Sequence, residues 1–76
     1  MTEGEIAYLA SQALMEVEPG SVVLSVSRLP DKPFGWVVVF DGTSGSRDRV
    51  TFEHLAADTP GTLKEKIKAG LAGRGT

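Results

Sequence analysis

Residues 33–42 read PFGWVVVFDG, and this stretch decides the fold. Its centre, residues 36–41, is rich in β-branched and aromatic side chains and lies between two glycines, which is typical of a short strand. Successive strand residues point to opposite faces. One side therefore carries Trp36, Val38 and Phe40, and the other carries Val37 and Val39. We expect the tryptophan side to face the core, although the inverted arrangement, with Trp36 exposed, is an open alternative.

A further strand is predicted on each side of this run. Residues 22–29 and residues 48–53 both alternate between apolar and polar side chains. The side chains expected toward the core are Val22, Leu24, Val26, Val50 and Phe52. Prolines at both ends of residues 30–33 favour a turn there, since proline cannot donate to a ladder. The short connections predict an antiparallel meander with residues 36–41 in the middle.

Apolar residues at helical spacing predict one helix before the meander and one after it. Thr2 and Glu5 form a capping-box pattern at the start of the first helix. The second helix begins either at Pro60 or one turn later, at a capping box of Thr62 and Glu65. The apolar stripes are Ile6, Leu9, Ala10, Ala13, Leu14 and Val17, then Leu63, Ile67 and Leu71. The predicted fold is α+β, helix-strand-strand-strand-helix, with both helices packed on one face of the sheet.

We expect residues 1–76 to form a single small domain with a flexible tail at residues 73–76. The chain has no cysteine, which excludes disulfides, thiolate metal sites and thiol catalysis. Its one histidine, His54, is too little for a triad or a metal centre. We therefore expect no catalytic residue, no cofactor and no metal, and interpret the chain as a non-enzyme. Residues 55–58 could be strand, loop or helical turn.

The charge and the N-terminus bear on partners and location. The formal net charge of −2 argues against a dedicated nucleic-acid binder. The acidic start of the chain lacks the basic segment of a secretory signal, and no apolar run is long enough to span a membrane. We expect a cytoplasmic protein that does not engage a membrane.

Two segments are candidate protein contacts. Val37 and Val39, with Val23 and Thr51 near them, would form an apolar patch on the sheet face away from the helices. The 29–34 loop places Leu29 and Phe34 beside two prolines, which reduce the entropy lost on binding. The alternative is that Leu29 and Phe34 cap the ends of the core. These observations favour a non-catalytic interaction domain that binds a protein partner or associates with itself.

A second hypothesis is weak nucleic-acid or anion binding. Its candidate residues are Arg47, Arg49, Lys64, Lys66 and Lys68. The structural alternative is that the acidic end of the first helix, with Glu16 and Glu18, lies beside the basic start of the second helix. Neutralised in this way, the lysines would be solvated helix charges with no role in binding.

Overall fold

The computed structural model describes residues 2–74. Its elements are α1 (Glu3–Val17), β1 (Val22–Arg28), β2 (Gly35–Asp41), β3 (Arg47–Glu53) and α2 (Pro60–Arg74). The strands form one antiparallel sheet in the order β1-β2-β3. This arrangement confirms the predicted α+β order and the central position of the apolar strand.

Both helices cover the face of the sheet that carries Trp36, Val38 and Phe40, and all three side chains are buried. The inverted arrangement is therefore wrong. The core they enter consists of Ile6, Ala10, Ala13, Leu14, Val50, Phe52, Leu63, Ile67 and Leu71. The guanidinium of Arg28 lies 4.9 Å from the centroid of the Trp36 ring, at the edge of this face. Within residues 2–74, no helix covers the other face of the sheet.

The prediction of which β1 side chains point to the core is wrong for the first half of the strand. A bulge interrupts the pairing between Val23 and Ser25. Val23 pairs with Phe40 and Ser25 pairs with Val39, so β1 contains one extra residue at this point. Val23 pairs with Phe40 and packs against the core, while Val22 and Leu24 remain 58% and 44% exposed. Beyond the bulge Val26 pairs with Val38 and faces the core as expected. Strict alternation fails here because the extra residue reverses the side on which earlier residues point.

The helix ends follow local capping chemistry. Thr2 and Glu5 form the predicted capping box, and α1 gives way to a left-handed Gly20 with φ of 98°. Val17, the last residue of the predicted apolar stripe, is 38% exposed. Of the two predicted starts for α2, the structure has Pro60, with the Thr59 hydroxyl accepting from the Thr62 amide. The tail was expected at residues 73–76; α2 extends through Arg74, and residues 75–76 lie outside the described residues.

Candidate contact surface on the open sheet face

The sheet face away from the helices, called here the open face, is organised in rows set by the strand register. Val37 pairs with Ser27 on one side and Thr51 on the other. One row further along, Val39 pairs with Ser25 and Arg49. Both valines are half-buried, whereas their row neighbours are exposed. Over these two rows the open face thus has an apolar centre line along β2 and polar side chains on both flanks.

Leu29 extends this apolar line. A Cβ placed on Gly35 would lie only 2.8 Å from Leu29 Cδ1 and 3.0 Å from Lys32 Cβ. Because Gly35 shares its facing with Val37 and Val39, that Cβ would point to the open face. Leu29 therefore folds over Gly35 on the open side. We call Leu29, Val37 and Val39 the apolar strip.

The structure brings together some of the predicted contact residues and separates others. Leu29, Val37, Val39 and Thr51 share the open face, which joins the two segments that the sequence offered as separate candidates. Val23 is not among them, because the bulge turns it to the core. Phe34 is 56% exposed at the end of the loop, so it does not cap the core. Gly35 was missed as part of this surface, although a glycine inside a strand often marks close approach by another segment.

The rim of the open face carries charges at the two ends of β3. Arg47 lies 3.4 Å from Asp41 across the strand pair, in an exposed ion pair. Arg49 and Glu53 are both exposed, and neither side chain has a charged partner within the part of the chain that the structure describes. They lie on either side of Thr51 along the same strand. One end of β3 is therefore basic and the other acidic.

The five candidate anion contacts do not form one surface. Arg47 and Arg49 belong to the open face, whereas Lys64, Lys66 and Lys68 belong to α2 on the opposite side of the sheet. Each lysine also has a carboxylate partner. Lys64 and Lys68 both contact Glu16, the latter at 3.0 Å, and Lys66 lies 2.6 Å from Asp58.

These contacts confirm that the end of α1 lies beside α2, with Glu16 in contact with two of the lysines. Hydrogen bonds from Lys64 and Lys68 lower the pKa of Glu16, and the Glu16 carboxylate raises the pKa of Lys68. The Glu18 carboxylate instead accepts from the Thr43 amide at 3.1 Å and the Ser21 hydroxyl at 3.0 Å. Glu18 thus anchors the β2–β3 loop to the end of α1.

Asp58 organises the segment that the sequence left undecided. Residues 56–57 form a turn, and the Asp58 carboxylate accepts from the Leu55 amide at 2.8 Å and from the Thr62 hydroxyl at 3.1 Å. Together with the bond from Lys66, which is the largest cause, these bonds hold the pKa of Asp58 at about 2. These hydrogen bonds to the Asp58 carboxylate, called here the clasp, join the end of β3 to the start of α2.

A depression of about 470 Å³ lies on the helix side, lined by Thr2, Gly4, Glu5, Tyr8, Leu9 and Pro60. Its one carboxylate, Glu5, already accepts from the Thr2 amide within the capping box. It offers a ligand a mainly apolar wall and no convergent set of polar groups. The open face is therefore the stronger candidate.

No family model, characterised protein or solved structure matches this chain. Among residues 2–74, no helix has the length and apolar character needed to cross a membrane. Within the same range, no cluster of three or more histidine and acidic side chains is placed to hold a metal ion.

Proposed function

We propose that this chain is a non-catalytic protein-interaction domain whose contact surface is the open face. The observation that carries the proposal is the apolar strip, which lies on the side of the sheet that no helix covers. Polar side chains of Ser25, Ser27 and Thr51 surround it. An apolar centre with a polar rim is the usual arrangement of a protein interface.

The small size of the apolar strip limits how tightly the open face can bind a partner. Fully burying a valine or leucine is worth about 1.5–3 kcal/mol, and all three side chains are already partly buried. Completing their burial therefore contributes on the order of 3–4 kcal/mol, which is no more than the roughly 4–15 kcal/mol that association itself costs. Rim contacts must supply the rest. The domain is thus suited to weak or reversible association rather than to a permanent complex.

The supporting experiment compares capture of partners by three forms of the immobilised domain. Val37→Lys combined with Val39→Glu places charges on the apolar strip. The matched control is Tyr8→Lys combined with Met15→Glu, because both side chains are 64% exposed on α1, away from the sheet. We expect the wild type and the control to retain the same proteins from the lysate of the source cell, and the strip variant to lose them. Equal retention by all three forms would contradict the proposal.

The same experiment includes a nuclease-treated sample. Retention that depends on intact nucleic acid would instead support the anion-binding hypothesis. We do not advance that hypothesis, because its lysines are paired and lie on the opposite side of the molecule from its arginines. The cytoplasmic location stays a prediction.

A further inference from the structure

The charges on β3 have an antisymmetric arrangement about Thr51. Arg49 lies two residues before Thr51 and Glu53 two residues after it, and all three side chains are exposed on the open face. At about 3.4 Å per residue, the two charged residues are about 14 Å apart along the strand. They are too far apart to pair with each other within one chain. An arrangement of this kind is complementary to its own copy turned end to end.

The second copy can be placed by a twofold axis that runs along the row of Ser27, Val37 and Thr51. Rotation about that row, with a second sheet packed face to face, reverses the direction of each strand and keeps the row in place. Arg49 then faces Glu53 of the copy, and Glu53 faces Arg49 of the copy. A twofold axis along β2, with strands of the two copies running the same way, would instead place Arg49 against Ser25 of the copy and leave it without an opposite charge.

The apolar strip follows the same symmetry. Val37 lies on the axis and meets its own equivalent. Val39 is two residues from the axis and so faces position 35 of the copy, which Leu29 and the Cβ of Lys32 cover. Valine therefore meets leucine on both sides of the axis. Apolar and charged contacts are satisfied by one and the same rotation.

The size of the face determines the strength of such a contact. Three strands of seven residues at about 3.3 Å per residue and about 4.8 Å between strands cover about 330 Å². This projected footprint is small for an interface, since a standard one buries roughly 800 Å² of accessible surface per partner. The association is therefore weak and depends on concentration.

From these observations we infer that the partner on the open face is a second copy of this chain, in a twofold sheet-to-sheet dimer with two Arg49–Glu53 pairs. The inference rests on the proposed function, since it uses the same surface. It adds the identity of the partner and the orientation in which that partner binds.

Charge reversal tests the inference directly by sedimentation velocity over a concentration series. Arg49→Glu and Glu53→Arg, each alone, turn both attractive pairs into repulsive ones. Each should raise the dimer dissociation constant about tenfold. The double variant, Arg49→Glu with Glu53→Arg, restores opposite charges in both pairs and should return to the wild-type value. Both side chains are exposed, so circular dichroism should show an unchanged fold in every variant.

A mixture of the two single variants sharpens the test. In the mixed dimer every charge at positions 49 and 53 faces its opposite, so mixing should produce more dimer than either variant forms alone. A wild type that stays monomeric at every concentration would overturn the inference. So would a double variant that associates as weakly as the single ones. Neither result affects the capture of a different protein by the apolar strip, so failure of the dimer and failure of the proposed function are distinguishable.

Discussion

Replacing Gly70 by alanine tests how closely α2 approaches the sheet. Gly70 lies within α2, where the helix passes β3. A Cβ at this position would lie 2.7 Å from Cγ2 of Val50, well inside van der Waals contact. Val50 is buried at 5% exposure and its β-branched side chain has few rotamers to choose from. The clash must therefore be relieved by moving the helix or the strand.

Two effects of opposite sign decide the outcome. Alanine in a helix interior is favoured over glycine by about 1 kcal/mol. Forcing an extra methyl group into a packed core costs about 1–3 kcal/mol. The net change in the free energy of unfolding should therefore be a loss of about 0–2 kcal/mol. For a domain of this size, each kcal/mol lowers the melting temperature by about 4–8 °C.

Gly73→Ala is the matched control, because the same helix carries it and a Cβ there would meet no atom of the described residues within 4 Å. We expect Gly73→Ala to be neutral or stabilising and Gly70→Ala to be less stable than it by about 1–3 kcal/mol. Urea denaturation followed by circular dichroism measures both. If Gly70→Ala were as stable as Gly73→Ala, the close approach of α2 to Val50 would be refuted.

Two further perturbations test the contact surface and the clasp. Gly35→Ala should lower the free energy of unfolding by about 1–3 kcal/mol, because the new methyl group clashes with Leu29. Leu29→Ala in the same chain should recover part of that loss. A double-mutant cycle with urea denaturation measures this non-additivity. Additive losses would show that Leu29 does not cover Gly35. The pKa of Asp58 is lowered from its usual 3.8 to about 2, so its stabilising contribution is present above the unfolded value and is lost as the pH falls through the folded one. The urea midpoint should fall between about pH 4 and pH 2, and Asp58→Asn should show a smaller fall over that window; equal falls would contradict the role of Asp58.

The sequence was sufficient for the fold because its local signals agree with one another. The two-sided apolar run of β2 predicted the sheet centre, and the stripe of Leu63, Ile67 and Leu71 predicted the buried side of α2. The capping box of Thr2 and Glu5 predicted the start of α1. Each of these signals lies within a few residues of the feature it predicts.

What the sequence could not predict depends on contacts between distant segments. The bulge in β1 arises from how β1 pairs with β2, and no residue of β1 itself marks it. It alone decides that Val23 packs in the core and that Val22 and Leu24 do not. In the same way, Leu29 joins the apolar strip because Gly35 leaves room for it across the β1–β2 turn.

The same dependence on distant contacts explains why the basic residues do not form the single anion-binding patch that the sequence suggests. The lysines and arginines of the second half of the chain are close in the sequence, and this closeness predicts one basic patch. In the fold, however, β3 and α2 present their charges on opposite sides of the sheet. On α2, tertiary contacts bring Glu16 and Asp58 to the lysines and neutralise them. On β3, no such partner reaches Arg49 or Glu53 within the described residues, and both lie beside the apolar strip. Charges that the fold leaves unpaired around an uncovered apolar centre are better suited to orienting a protein partner than to holding an anion, since attraction and repulsion alternate along the same strand.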